Sequence, residues 1–163
     1  MFVAGMGAAQ FATPAAVDLL RSLRHPTDRP EAVHLAASDS ANPYGNLLPW
    51  VEGGAEHNMS RSAGASVILV NGRLTAFLRR GNPAIRIMLP EEEPDRSHVA
   101  RAVAQKLAEV AIQRQSRRGG LLVETINDAP AAGHFLAHFL EESGFAATAA
   151  GFQMRRLTAS PEE

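Results

Sequence analysis

The sequence predicts an α+β fold, a mostly antiparallel sheet covered by two helices, and three observations predict it. Two β-rich runs, Ala65–Val70 and Leu74–Arg79, flank Asn71-Gly72, the dipeptide that a type I′ hairpin turn favours. A stretch from Ser97 to about Arg118 carries Val99, Val103, Leu107, Val110 and Ala111 at helical spacing, and Gly119-Gly120 ends it. The full order reads as an N-terminal helix–strand–loop segment and then βββ-α-β-α-ββ, neither cleanly alternating nor fully segregated.

Each element has a local reason. Thr13 followed by Pro14 supplies an N-cap oxygen and a proline in the first turn of a helix whose apolar face is Val17, Leu20, Leu23 and Leu19. Pro26 and Pro30 stop that helix, and Ala32–Ser38 reads as a short buried strand. Residues 39–50 hold two prolines and a glycine and form an irregular loop, while residues 51–63 are polar and glycine-containing and read as a mobile one. After the hairpin, Gly81-Asn82-Pro83 turns the chain into a third strand, Ala84–Leu89. Pro90–Asp95 is an acidic connector and Ser97 is placed to cap the long helix. Leu121–Ile126 is another strand, and a second helix over about Pro130–Ser143 presents Phe135, Leu136, Phe139 and Leu140 on one face. Phe145–Ala149 and Phe152–Arg156 make a closing hairpin, with a frayed tail at 158–163. The expected divisions are therefore 1–50, packing on the main domain; 51–63, a mobile loop; 64–157, the α+β domain; and the tail.

Composition narrows the function classes. A chain of 163 residues can bury roughly 68–70% of its unfolded surface, enough for a core without staples. It has no cysteine, which removes disulfides, thiolate metal sites and thiol catalysis. No apolar run reaches the length of a bilayer-spanning helix and no signal peptide is evident, so a cytoplasmic location without membrane contact is expected. The formal net charge is −1, from 16 basic and 17 acidic residues, without the strong positive excess of a dedicated nucleic-acid binder. Fifteen of those basic residues are arginines and Lys106 is the single lysine, a bias that a GC-rich genome also produces.

Motifs for chemistry are scarce. There is no phosphate loop of the G-x-x-x-x-G-K-[ST] type, and Gly5-Met6-Gly7 lacks the third glycine and preceding strand of a dinucleotide site. His134 and His138 stand four residues apart, with Glu141 or Glu142 nearby, but the HExxH pattern is absent and a rim pair is the plainer reading. Ser60, Ser62 and Ser66 lack a nucleophile elbow, and Asp39 reads as a turn-capping residue before a general base. No metal or cofactor is expected.

Two groups could instead touch nucleic acid. Arg79-Arg80 close the hairpin, Arg114, Arg117 and Arg118 end the long helix, and Arg155 lies at the C-terminus; converging on one face, they would form a phosphate-binding stripe. The helix-end arginines also have a plain role against the negative end of the helix dipole. Tyr44 and Trp50, the only tyrosine and tryptophan, share the irregular loop, where they could stack on unpaired bases or plug the loop onto the core.

That loop carries a resemblance. Asp39-x-x-Asn42-Pro43-Tyr44-Gly45-x-x-Leu48-Pro49-Trp50 is similar to a motif of Lhr-type (large helicase-related) superfamily 2 helicases. Gly7-x-x-Gln10-Phe11-Ala12 resembles the same family, as do Ala63-Gly64-Ala65-x-Val67-x-Leu69-Val70-Asn71-Gly72 and Gly144-Phe145 with Gly151-Phe152-x-Met154-Arg155, in order from about residue 2 to 157.

The resemblance implies a DEAD/H-associated C-terminal accessory domain, preceded in the family by two RecA-like motor domains and a winged helix that translocate 3′ to 5′ using ATP. It assigns no catalytic residue to this chain, whose expected role is to help wall the path of single-stranded DNA or RNA and to pack on motor and winged-helix domains, in cis or in trans. The alternatives are a protein-interaction module docking on a separately encoded helicase and a small metal-dependent enzyme built on Asp39, His134 and His138.

Overall fold

The computed structural model describes residues 11–22, 30–50, 59–115 and 121–154. Its elements are helix α1 (Pro14–Ser22), strands β1 (Ala32–Ala36), β2 (Ala65–Val70), β3 (Arg73–Arg79) and β4 (Ala84–Ile87), helix α2 (Asp95–Gln115), short strands β5 (Leu122–Val123), β6 (Thr125–Ile126) and β7 (Ala129–Pro130), helix α3 (Ala137–Glu142), and strands β8 (Phe145–Thr148) and β9 (Gly151–Met154). One sheet has the order β1-β2-β3-β4-β6-β7 and a second has the order β5-β9-β8. Every strand pair is antiparallel except β4 with β6. The α+β architecture expected from the sequence is therefore the one observed.

The hairpin forms where Asn71-Gly72 demands it, with φ of 49° and 77° at the two turn residues. One irregularity follows: Thr75 is an extra residue between Leu74, opposite Leu69, and Ala76, opposite Ile68. The Thr75 hydroxyl donates to the Ile68 carbonyl at 2.9 Å, so the bulge keeps its polar group satisfied. The sheet buries both faces. Ile68, Val70, Ala76, Leu78, Ile85 and Ile87 pack under α2, while Val67, Leu69, Leu74 and Phe77 pack with Trp50 and Met59 on the other side.

Several boundaries differ from the sequence expectation, each for a local reason. Strand β1 is half-buried instead of buried, because it forms an edge of the sheet. Helix α2 begins at Asp95, and the side chain near its start that accepts a backbone N–H is Glu93, from Ser97 at 3.2 Å; Ser97 itself lies inside the first turn. The run Leu121–Ile126 is two strands. Glu124 breaks it by donating its N–H to Pro83, so Val123 pairs in one sheet and Thr125 in the other.

The helix expected over 130–143 is reduced to α3, because Thr125–Ile126 and Ala129–Pro130 close a hairpin around Asn127-Asp128 and a 3₁₀ turn spans Ala131–Gly133. The Asn127 side chain then acts as an added peptide unit. Its Nδ2 donates to the Ile87 carbonyl at 2.8 Å and its Oδ1 accepts from the Ile87 N–H at 2.9 Å.

Helix α3 and the turn before it are tied to α2 by Arg96, whose guanidinium lies 3.9 Å from the Phe135 ring centroid, and by Arg101, 3.5 Å from the Glu142 carboxylate. Helix α1 has the expected cap, with the Ala16 N–H donating to Thr13 Oγ1 at 3.3 Å, but it contributes no buried residue. Residues 51–58 of the expected mobile loop, the end of the long helix at 116–118, and the tail lie outside the described residues.

Candidate nucleic-acid interface

The loop from Asp39 to Trp50 is built by its own motif residues. The Asp39 carboxylate accepts the Ala41 N–H at 2.8 Å, the turn-capping role expected of it. Asn42 is 1% exposed; its Nδ2 donates to the Ala37 carbonyl at 2.8 Å and its Oδ1 accepts from the Tyr44 N–H at 3.1 Å. Gly45 has φ of 73°, and a Cβ there would overlap the Trp50 indole. Trp50 is 7% exposed and packs edge-on against Phe77, with ring centroids 5.4 Å apart. In this arrangement the indole plugs the loop onto the core and presents no face to a base. Tyr44 is half-buried, and its hydroxyl donates to the Gly72 carbonyl at 3.3 Å.

Beneath this loop lies a residue that the sequence did not single out. The Arg61 guanidinium donates to the carbonyls of Asn42, Tyr44 and Asp39 at 2.8, 3.0 and 2.9 Å. Its fork gathers three carbonyls of the loop, of which Asp39 also accepts the Asn42 N–H at 3.1 Å and Tyr44 the Asn42 Nδ2 at 3.3 Å. No spacing rule announces such a contact, since Arg61 follows the loop by more than ten residues and sits in a polar stretch.

Of the six arginines expected to form a stripe, the described residues include three, Arg79, Arg80 and Arg114. Strand alternation puts Arg79 on the Phe77 side of the sheet, its guanidinium 5.9 Å from that ring's centroid. With Arg86 it lines a small cleft of about 100 Å³, where Arg86 is paired with Asp128 at 2.7 Å. Arg80 lies instead within electrostatic reach of Arg114 on α2, and burial together with the Arg80 charge disfavours the Arg114 cation. Arg117, Arg118 and Arg155 lie outside the described residues.

A second unannounced group sits beside Arg114. His34 on β1 faces α2, its Nε2 buried and without a hydrogen-bond partner. Burial lowers its pKa, and the positive charges of Arg114 and Lys106 lower it further. Ala32, Val33, His34, Lys106, Glu109 and Gln113 line a cleft of about 240 Å³ between β1 and α2. Lys106 Nζ donates to Glu109 Oε2 at 2.6 Å, whereas no carboxylate among the described residues pairs with Arg80 or Arg114. Sequence reasoning had only the alternation of β1 to place His34 here.

The two histidines weighed for a metal serve local structure. His134 precedes α3, and its Nδ1 accepts the Leu136 N–H at 3.1 Å; burial and the nearby Arg96 lower its pKa. His138 contacts Glu142 at 3.0 Å from the helix itself. Among the described residues no three His, Asp or Glu side chains come together as a metal site would require, and Asp39 is distant in role from both. No described helix is long and apolar enough to cross a membrane.

Comparison with known proteins agrees with the loop motif. Residues 1–32 match the family described as "Large helicase-related protein, winged-helix domain", so the winged-helix likeness, expected ahead of the chain, falls within it and takes in α1. The chain is 44% identical over 133 residues, 77% of its length, to the "Lhr helicase/ probable uracil glycosylase" of Mycolicibacterium smegmatis. It is 34% identical over 157 residues, 92% of its length, to the "Lhr helicase/uracil glycosylase" of Escherichia coli. The matched stretches are 8% and 10% of those much longer proteins. The chain belongs to the Lhr-type helicase family and corresponds to a C-terminal domain of it.

Proposed function

We propose that the chain is a non-catalytic accessory domain of an Lhr-type helicase, which braces the path of a single strand and packs on the motor and winged-helix parts. The observation that carries this reading is the likeness to Lhr helicases over most of the chain, a stretch that makes up only 8% and 10% of those proteins. Arg80 and Arg114, with no carboxylate among the described residues in ion-pair range of either, add positive charge for a phosphate. The Arg61-buttressed loop supplies the stiffness a wall needs. The names of the relatives join helicase and uracil glycosylase; in this reading the segment holds the strand while motor and glycosylase chemistry are performed elsewhere.

Fluorescence anisotropy with a labelled oligothymidylate tests the first half. Binding should be weak and should fall with added salt, by a slope of roughly 0.7 in log affinity for each phosphate neutralised. Co-purification with a helicase core lacking this segment tests the second. Affinity independent of salt, or release of uracil from a uracil-containing strand by the purified chain, would overturn the reading.

A further inference from the structure

We propose that the cleft between β1 and the C-terminal half of α2 is a seat for one phosphate group, with His34 and Lys106 in its lining and Arg114, which follows the lining residue Gln113, and Arg80 outside that lining. The proposal deepens the strand-bracing reading and rests on it for the source of the phosphate, a phosphodiester of the strand.

The argument begins with what the cleft holds. Its volume of about 240 Å³ is lined by side chains from two elements, so its shape is fixed by the packing of α2 on the sheet. In its lining the buried Nε2 of His34 has no hydrogen-bond partner. An orphaned buried polar atom costs about 1–3 kcal/mol, and a group that persists in that state next to an open cleft is poised for a ligand atom. Lys106 and Glu109 offset each other, yet the ammonium has three donors and the Glu109 contact takes one. Arg114 and Arg80 remain, each with no acidic neighbour in ion-pair range among the described residues.

Phosphate oxygens satisfy these demands together. One can accept from the imidazole when Nε2 carries the proton, and others can accept from the ammonium and from a guanidinium fork. A carboxylate also has two free oxygens, but they lie in one plane that suits a single fork, whereas those of a phosphodiester sit on a tetrahedral centre and can face donors from different sides. Glu109 is the unfavourable neighbour. Its charge opposes an anion, and this makes it diagnostic.

The test combines strand binding with nuclear magnetic resonance of the His34 ring in the isotopically labelled chain, using oligothymidylate in one arm and inorganic phosphate in the other. Arg114→Glu and Arg80→Glu should each weaken oligothymidylate binding about five- to tenfold, the loss of one charge-assisted contact, whereas Arg73→Glu at the start of β3 should change it by less than about twofold. Glu109→Gln should tighten it, and Arg114→Gln serves in place of Arg114→Glu if the reversed charge unfolds the protein. Oligothymidylate that binds with the same affinity to the Arg80, Arg114 and Glu109 variants overturns the phosphate seat and leaves the strand-bracing reading intact. Inorganic phosphate that moves the His34 signals in a chain that binds no strand supports the seat and overturns strand bracing. His34 signals unmoved by either probe overturn the seat.

Discussion

Arg61 donates to the Asn42 carbonyl at 2.8 Å, and Asn42 in turn donates to Ala37 at the end of β1, so one arginine and one buried amide join the loop to the sheet.

Removing Arg61 takes the donor from the Asn42 carbonyl and the charged second donor from the Asp39 and Tyr44 carbonyls, which keep their bonds to Asn42. Arg61→Ala is expected to lower unfolding free energy by about 2–4 kcal/mol in urea titrations, since bonds to a charged donor are worth more than neutral ones. Arg61→Lys should recover less than half of the loss, because a single ammonium cannot span three acceptors held by a planar fork. A change below about 0.5 kcal/mol would mean that the loop is held by Trp50 and Asn42 alone.

Trp50 should behave as a core residue. Trp50→Ala is expected to cost about 3–5 kcal/mol, and Gly45→Ala to cost at least about 2 kcal/mol, through overlap with the indole and a left-handed backbone. Trp50 is the only tryptophan, so its emission reports on this site alone. Native emission should be blue-shifted, and saturating oligothymidylate should leave it unquenched. Strong quenching would show that the indole leaves the core to stack on a base.

Acid should destabilise the fold through its histidines. Burial, with Arg114 and Lys106, holds His34 below its ordinary pKa of 6.5, and burial with Arg96 does the same for His134. The unfolded chain then binds more protons than the folded one between the lowered values and 6.5. Stability present above pH 6.5 is therefore lost as pH falls below it. His34→Asn should flatten the dependence of the thermal midpoint on pH in that window, and an unchanged slope would remove His34 from the account.

Asn127 offers a test of how the fold reaches its parallel strand pair. Asn127→Ala removes both bonds to Ile87 and also places alanine at φ of 53°. An expected loss of about 2–3 kcal/mol, measured by chemical denaturation, should be accompanied by faster amide exchange at Ile87. Asn127→Gly isolates the side-chain bonds from the backbone strain.

How much of this was legible in the sequence depended on whether its cause was local. The Asn71-Gly72 hairpin, the Thr13 cap and the amphipathic stretch of α2 depend on neighbours within a few residues, and each appeared where expected. Leu121–Ile126 read as one strand because its apolar pattern is continuous; the break at Glu124 comes from Pro83, about forty residues earlier. The helix expected from Pro130 failed for the same kind of reason, since Asn127 is drawn to Ile87. At the candidate interface, arginine doublets flagged Arg79 and Arg80 together, while β3 ends at Arg79, beside Phe77, and Arg80 lies in the turn beyond it. His34 and Arg61 act through tertiary contacts for which single residue types give no warning.

The break at Glu124 has a mechanical corollary. The residues on either side belong to different sheets, Gly151 of β9 presses against that junction where a Cβ would collide with Val123, and Val123, Ile126 and Phe152 share the core under α2. The sheets have no slack joint between them here. A tug at the closing hairpin is passed straight into the β4 ladder, which is how a strut behaves and a hinge does not.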